Sequence, residues 1–425
     1  MPDALLMNRT VLLAKIEVTN NVDPVPTPTA DAVLAEDPEF SVETNILERN
    51  FARFDLSRVA HRVGRKLASI KFSHEWRSNG LTNGATVPAK LGTLLRGCGF
   101  SQTAMTSGAA GQVGAVSPDD ENTGPTITWA AAGTWAALTQ PVLYTITVVT
   151  GGASGTAAVS ITPDAETVAQ ALDVVQASVV LTTATPAQLK SGGGGFTLAP
   201  TWTGALVVGD KYYVRVYPPG YRYRPISTSF ESLTFYLYMD GILHKMTGAM
   251  GTFSLSAEAG GYAKAEFTFT GQYVAPIDAA LPTTARYERT LPAMVELSQL
   301  RVDTHAAIVG MFSLDVGNTV SPRPDANSSD GYQGVRISER AVTGQTDPEL
   351  VAIASFDLWG KMTAGAEMIY RNRVGNVAGN RIFMLAPKTQ FGQLTYKDRE
   401  NMRAVDSNLM FNRHFGNDEV EFVFS

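Results

Sequence analysis

The amino-acid sequence predicts a mainly β protein: a β-sandwich with short flanking helices, duplicated within the chain and interrupted by a small inserted β-rich domain. Three observations lead to this prediction. Many segments alternate apolar and polar residues with the period of 2 that is typical of strands. Only 17% of the residues are charged, whereas 38 residues are glycine. The composition also changes in the middle of the chain, where charged residues thin out and alanine, glycine and threonine dominate.

Composition and charge limit the class of protein. The 425 residues allow about two to four domains, and 44% hydrophobic residues suffice for a core, which excludes a mainly disordered chain. A formal net charge of −6 argues against electrostatic adhesion to nucleic acid. No apolar run approaches the ~18 residues of a membrane span, so no membrane partner is expected. The single cysteine, Cys98, excludes an internal disulfide and any multi-cysteine metal site.

The first portion of the chain contains a clear strand and a clear helix. Residues 68–76 alternate, and four side chains share one face: Ile70, Phe72, His74 and Trp76. A helix is predicted after Pro88, because four apolar residues are spaced i, i+3, i+4 and i+7: Leu91, Leu94, Leu95 and Cys98. We therefore expect Cys98 to be a core residue rather than a reactive thiol, and His74 to be a core histidine rather than a metal ligand.

A proline-rich segment, residues 21–37, precedes this strand. Proline fixes φ and removes a backbone donor, so the segment is predicted to be extended rather than packed. Two interpretations stay open: a solvated linker, or an arm that reaches toward a neighbouring subunit. For the second interpretation we single out five residues of a candidate inter-subunit arm: Asp23, Pro24, Pro26, Pro28 and Asp31.

The change in composition suggests the domain boundaries. Residues 1–100 and 228–289 are predicted to form the two parts of a first domain. Residues 101–227, with their own strands and a glycine-rich loop, are predicted to form the inserted domain. Residues 290–425 are predicted to form a second domain that resembles the first.

Two pairs of features support an internal duplication. A helix is predicted after Pro88 and another after Pro348, where Thr346 and Glu349 have the spacing of a capping box. A glycine-rich hairpin is predicted near Gly251 and another near Gly379. The first helix and hairpin are separated by a much longer stretch than the second pair, and the excess is close to the length of the inserted domain. The alternative is a chance likeness between two sandwich domains.

The sequence offers little that could carry catalysis. None of the five histidines pairs with another at a metal-ligand spacing. No nucleophile elbow, P-loop or dinucleotide fingerprint is present. We therefore predict no catalytic, cofactor-binding or metal-binding residues, and no enzymatic activity.

The order of several motifs resembles the major tail tube proteins of long-tailed, siphovirus-like bacteriophages. The resemblance covers both outer portions, about three quarters of the chain, and leaves out residues 101–227. Besides the proline arm, it rests on five motifs: Pro88-Ala89 with Leu94-Leu95-Arg96-Gly97-Cys98-Gly99-Phe100, Met239-Asp240-Gly241, Gly248-Ala249-Met250-Gly251-Thr252-Phe253, Phe267-Thr268-Phe269-Thr270-Gly271 and Gly416-Asn417-Asp418-Glu419.

This resemblance implies a structural virion protein. Subunits of the family pair their sheets edge to edge into rings with an inner β-barrel, and the rings stack into a tube through which DNA passes without specific binding. The implied partners are further copies of the chain, the tape measure protein, the tail terminator and distal tail proteins. The protein would be made in the bacterial host cytoplasm and reside in the phage tail.

The number of chains in a ring follows from the duplication. A tube-wide barrel in this family is commonly built from six tube-type units, so three chains with two units each would form a trimeric ring with pseudo-sixfold symmetry. A hexamer of chains that each carry one enlarged unit is the alternative. A different function also stays open, namely a carbohydrate-binding or adhesin-like surface protein in which the inserted domain does the binding.

Overall fold

The computed structural model of the chain describes residues 9–49, 51–55, 57–80, 88–135, 137–164, 167–168, 170–183, 185–328 and 331–425. The structure is mainly β, as the sequence predicts. The first portion contains β1 (Thr10–Ile16), α1 (Pro28–Asp31), β2 (Ala32–Val33), β3 (Glu36–Leu47), β4 (Arg62–Glu75), α2 (Lys90–Gly97) and β5 (Phe100–Met105).

The middle of the chain forms α3 (Ala109–Gln112), β6 (Ser117–Pro118), β7 (Thr128–Gly133), β8 (Val142–Thr150), β9 (Ala158–Pro163), β10 (Gln176–Val180), β11 (Ala187–Gln188), β12 (Phe196–Thr201) and β13 (Lys211–Val216). These strands form one five-stranded and one three-stranded sheet. The two sheets enclose a core of their own, which includes Tyr144, Phe196 and Val214.

The chain then returns to the main body with β14 (Gly220–Pro225), β15 (Leu233–Met239), β16 (Ile242–Glu258) and β17 (Lys264–Asp278). The last portion contains β18 (Arg301–Val302), β19 (His305–Ala306), β20 (Val309–Asp315), β21 (Asn318–Pro324), β22 (Tyr332–Arg340), β23 (Thr343–Pro348), α4 (Leu358–Thr363), β24 (Met368–Val374), β25 (Ile382–Arg399), β26 (Met402–Asn412) and β27 (Glu421–Phe424).

Eight strands of the main body form one continuous antiparallel sheet in the order β3-β4-β17-β16-β20-β23-β26-β25. Along each strand the residues alternate between a buried face and a polar face, as the period of 2 requires. The buried face carries large apolar side chains, such as Phe72, Phe253, Phe267 and Phe312. Strands β1, β15, β24 and β27 pack against that face with helix α2 and complete the core.

The same strand pairings occur twice in the main body. We call β1–β4 with β15–β17 the first strand set, and β18–β20 with β23–β26 the second strand set. In the first set β1 pairs with β2 and β15, β3 with β4, β4 with β17, and β16 with both β15 and β17. In the second set β18 pairs with β19 and β24, β20 with β23, β23 with β26, and β25 with both β24 and β26.

The helix predicted after Pro88 is confirmed. It spans Lys90–Gly97, and its apolar stripe, Cys98 included, is buried in the core. Gly99 follows with a φ of +81°, which allows the chain to turn sharply after the helix. His74 is buried as predicted, with 1% of its surface exposed.

The helix predicted after Pro348 is wrong, because Pro348 ends strand β23. The Thr346 hydroxyl is bonded to Ser407 on β26 at 2.8 Å rather than to a helix N-terminus. The helix of the second strand set begins later, at Leu358, where the carboxylate of Asp357 accepts a hydrogen bond of 2.8 Å from the backbone nitrogen of Gly360.

The predicted hairpin near Gly251 is also wrong. Gly251 lies inside the long strand β16, where the ring of Phe269 leaves no room for a side chain. The chain turns instead at Asp240 and Gly241, both with positive φ. Gly379, in contrast, lies in the connection between β24 and β25, as predicted.

Candidate assembly surfaces

The polar face of the eight-stranded sheet carries charges of both signs, and its lysines lie beside carboxylates. Lys71 is paired with Glu266 on the neighbouring strand. Lys264 lies 2.6 Å from Glu36, and Lys397 lies 3.2 Å from Asp406. Glu258 and Asp315 add negative charge to the same face. A phosphate backbone facing this surface would therefore meet lysines that already have a carboxylate partner.

The two edges of this sheet are open. Strand β3 pairs with β4 on one side, and residues 395–399 of β25 pair with β26 on one side. Within the described ranges no strand pairs with the other side of either segment. The ring of Tyr396 is 61% exposed and lies beside Trp359, with 5.3 Å between ring centres. Exposed strand edges of this length are templates for pairing with another strand.

Within the chain, the corresponding edge of β16 is paired with another strand. Residues 254–258 of β16 pair with residues 311–315 of β20, which joins the first strand set to the second. We call this pairing the internal joint. Leu255 lies opposite Leu314, and both are buried in the core. Ser256 lies opposite Ser313 on the polar face.

The candidate arm residues contact their own chain. The Asp23 carboxylate accepts a hydrogen bond from the Tyr236 hydroxyl and lies 3.7 Å from the Lys245 ammonium. The Pro24 carbonyl accepts a hydrogen bond of 3.0 Å from Lys15. Burial and the hydrogen bond to Asp23 raise the pKa of the Tyr236 hydroxyl, so the phenol stays protonated and donates.

The second half of the arm has more structure than the sequence suggests. Pro26 is buried, and Pro28–Asp31 form helix α1. The Asp31 carboxylate accepts a hydrogen bond of 2.7 Å from the backbone nitrogen of Thr27, the residue before this helix turn. The sequence missed the two-residue strand β2 because so short a pairing has no periodicity. Val22 and Val25 are 57% and 63% exposed, so the arm keeps apolar surface for a neighbour.

Two buried ion pairs fix the middle sheets to strands β24 and β27 of the main body. Arg215 on β13 lies 2.8 Å from Glu421 on β27, and Asp164 after β9 lies 3.2 Å from Arg371 on β24. All four side chains are at most 13% exposed, so the pairs are only weakly screened by water. A cavity beside these pairs is lined by Leu143, Asp164, Arg215, Tyr370 and Arg371.

A family model described as phage tail tube protein matches residues 7–368, most of the chain. The chain therefore belongs to the phage tail tube protein family. The resemblance seen in the sequence is thus confirmed: the protein is a structural component of the virion tail that assembles with its own copies into a tube. No curated protein matches the chain.

The family match leaves the carbohydrate-binding or adhesin-like alternative without support. In the described part of the chain, no helix is long and apolar enough to cross a membrane. No cluster of three or more histidine, cysteine or acidic side chains that could hold a metal occurs among those residues either.

Proposed function

We propose that three chains close one ring of the tail tube, and that each chain carries two tube units. The first unit comprises residues 1–100 and 228–289, and the second comprises residues 290–425. The supporting observation is the recurrence of the strand pairings in the two strand sets. Each chain then contributes eight strands to a common barrel, so three chains contribute 24.

The internal joint serves as the template for the joint between chains. The strand series β4-β17-β16 of the first set corresponds to the series β23-β26-β25 of the second. When the two series are compared pairing by pairing, Thr395 takes the position of Ser254. The same comparison places Ser41 at the position of Asp315. Strand β25 of one chain therefore pairs with β3 of the next.

This register brings complementary side chains together. Tyr396 lies opposite Phe40 on the core side, where the internal joint has Leu255 opposite Leu314. Lys397 lies opposite Glu39 on the polar face. An aromatic pair and an opposite-charge pair at directly facing positions each contribute roughly 0.2–1 kcal/mol to strand association.

A barrel of this size suits a DNA conduit. With neighbouring strands about 4.8 Å apart, 24 strands give a circumference of about 115 Å and a diameter of about 37 Å between backbones, and strand tilt widens it further. The polar face lines the lumen, because the other face is filled by the core. Its paired lysines allow DNA to pass without being held.

The remaining assignments rest on the family. We propose that the tape measure protein, the tail terminator and distal tail proteins contact the tube, that the chain is made in the host cytoplasm, and that it has no enzymatic activity. Residues 101–227, except for the main-sheet strands β5 and β14 at their two ends, are proposed to form a peripheral domain. The observations that support this are the separate core around Tyr144 and its attachment away from the polar face.

The arm, with Asp23, Pro24, Pro26, Pro28 and Asp31, is proposed to contact a neighbouring subunit through the exposed Val22 and Val25. Limited proteolysis before and after assembly tests this role. Cleavage within residues 21–31 that slows on assembly supports it, and equal cleavage in both states contradicts it.

Disulfide crosslinking tests the ring. A variant with Glu39→Cys and Lys397→Cys places two thiols at facing positions of the joint, with Cβ atoms about 4.5–5.5 Å apart. Oxidation of assembled tubes should give covalent dimers and trimers, and the ladder should end at three chains. A ladder that continues to six chains would establish the hexamer alternative, and a lack of crosslinks would contradict the joint.

The matched control carries Lys71→Cys with Lys397→Cys. Lys71 faces Glu39 across the β3–β4 ladder, so it lies one strand further from the joint. The two Cα atoms would be about 10 Å apart, beyond the reach of a disulfide. The native Cys98 is buried and does not compete.

A further inference from the structure

The hairpin β21–β22, which connects β20 and β23 of the second strand set, packs on the first strand set. Val335 and Ile337 are 4% and 5% exposed, and they form an apolar cluster with Leu67 on β4 and Met250 on β16. The hairpin therefore covers the end of the sheet beside the internal joint.

Polar contacts fix the hairpin in this position. The side-chain nitrogen of Asn318 donates to the carbonyl oxygens of Cys98 at 2.7 Å and Gly251 at 3.0 Å. At the other end, Gln272 donates to the carbonyl oxygen of Tyr332 at 2.9 Å. The hairpin is thus hydrogen-bonded to the end of helix α2, to β16 and to β17.

The first strand set has a hairpin of the same design. Residues 44–66 comprise the last residues of β3, the connection that follows and the first residues of β4, and they equal residues 318–340 in length. Ile46 pairs with Val63 as Val320 pairs with Ile337, and each ladder has a register shift next to this pair. We call residues 44–66 the first hairpin; residues 50 and 56 within it lie outside the described residues.

The first hairpin differs from its counterpart in exposure. Ile46 is 53% exposed and Val63 is 47% exposed, whereas Ile337 is 5% exposed. Phe51 and Phe54 near the tip are 59% and 99% exposed. Apolar side chains grouped in this way on a projecting element indicate a surface that is covered in the assembled state.

The second strand set has an open surface next to the counterpart of the one that Ile337 covers. Thr343 and Gln390 take the positions of Ser69 and Met250, and Met410, which pairs with both, takes the position of Thr270. Met410 is 43% exposed. It lies in a groove together with Ala341, Thr343, Asn412 and Glu419.

We infer that the first hairpin of one chain docks in the groove around Met410 of the neighbouring chain in the same ring. This inference rests on the proposed ring. The hairpin is the direct continuation of β3 and β4, so the joint decides where it lies. Because β20 pairs with β16, the attached hairpin β21–β22 packs on β16 and β17. Because β3 pairs with β25 of the next chain, the first hairpin packs on β25 and β26 of that chain in the same way.

Crosslinking between the two surfaces tests the docking. A variant with Val63→Cys and Met410→Cys, treated as assembled tubes with a short bis-maleimide, should give dimers and trimers, and the ladder should end at three chains. The control pairs Val63→Cys with Val208→Cys, an exposed residue of the inserted domain, and should stay monomeric on a denaturing gel.

The outcomes separate this inference from the proposed ring. If the Glu39/Lys397 disulfide forms and the Val63/Met410 crosslink does not, the docking is wrong while the ring stands. If neither forms in assembled tubes, the proposed ring itself is wrong. A Val63/Met410 ladder that exceeds three chains while the Glu39/Lys397 ladder ends at three would mean that the hairpin reaches a copy in another ring, which also overturns the inference.

Discussion

The buried carboxylate of Glu17 accepts a hydrogen bond of 2.7 Å from the backbone nitrogen of Gly248. Gly248 has a φ of +60° and sits at an irregularity in β16. Three further donors converge on Glu17, each at 2.6 Å: the Asn21 backbone nitrogen and the hydroxyls of Ser232 and Thr234. One carboxylate therefore ties the end of β1, and the root of the proline arm, to β15 and β16.

The first prediction follows from this cluster. Glu17→Ala should lower the free energy of unfolding by about 3 kcal/mol or more, because each buried donor left without a partner costs about 1–3 kcal/mol. Glu17→Gln should lower the free energy of unfolding by less, since its amide oxygen still accepts hydrogen bonds. Chemical denaturation of the monomer measures both. Glu39→Ala on the exposed β3 is the control, expected to stay within about 0.5 kcal/mol of the parent. A Glu17→Ala protein of unchanged stability would show that the donors find other partners.

Helix α2 and Glu17 illustrate which structural features could be predicted from the sequence and which could not. Helix α2 was predictable because its apolar stripe is local and repeats with the helical period. Glu17 was missed because three of its four donors lie more than 200 residues away and leave no local pattern. Tyr396 was missed for the same reason, since an open edge is defined by strands that pair across the chain. The helix prediction after Pro348 was wrong because proline can equally open a helix or end a strand.

The second prediction concerns His74. Burial, with a contribution from Arg77, lowers the pKa of its imidazole to about 4, and Nε2 has no hydrogen-bond partner within the described ranges. The unfolded chain has a pKa near 6.5, so between pH 6.5 and 4 the unfolded state binds the extra proton. His74 therefore stabilises the fold above pH 6.5, and this contribution, about 3 kcal/mol, is lost as the pH falls to 4.

Unfolding free energies at pH 7 and pH 4 measure this effect. Many carboxylates also titrate in that range, so the quantity to compare is the loss of stability in the parent and in His74→Gln. The parent should lose about 3 kcal/mol more than the variant. Equal losses would mean that His74 is solvated or paired at low pH.

The third prediction is that the inserted domain is dispensable for the tube wall. Met105 on β5 lies directly opposite Gly220 on β14, so these two strands remain part of the main sheet. Replacing residues 106–219 with Asn-Gly converts them into a two-residue hairpin. The variant should still form tubes, and the projections from the tube should disappear in electron micrographs.

The excision removes a partner from two buried charges, because Arg371 loses Asp164 and Glu421 loses Arg215, so it needs a second variant. Glu421 loses Arg215 at 2.8 Å and keeps only Arg222 at 3.6 Å. Adding Glu421→Gln removes the poorly paired charge and should recover part of the lost thermal stability. If both variants fold but neither forms rings, residues 106–219 belong to the tube wall.

The last prediction concerns the open edge of β25. Tyr396→Asp should leave the monomer within about 1 kcal/mol of its original stability, because most of the ring is already exposed. Each joint would lose the burial of an aromatic side chain, which contributes about 1.5–3 kcal/mol, and would instead place a carboxylate opposite Phe40. Since a closed ring contains three such joints, tubes should be absent at concentrations at which the parent assembles fully. Val208→Asp, at an exposed site of the inserted domain, is the control and should assemble normally. Sedimentation and electron microscopy measure assembly, and normal tubes from Tyr396→Asp would exclude Tyr396 from the joint.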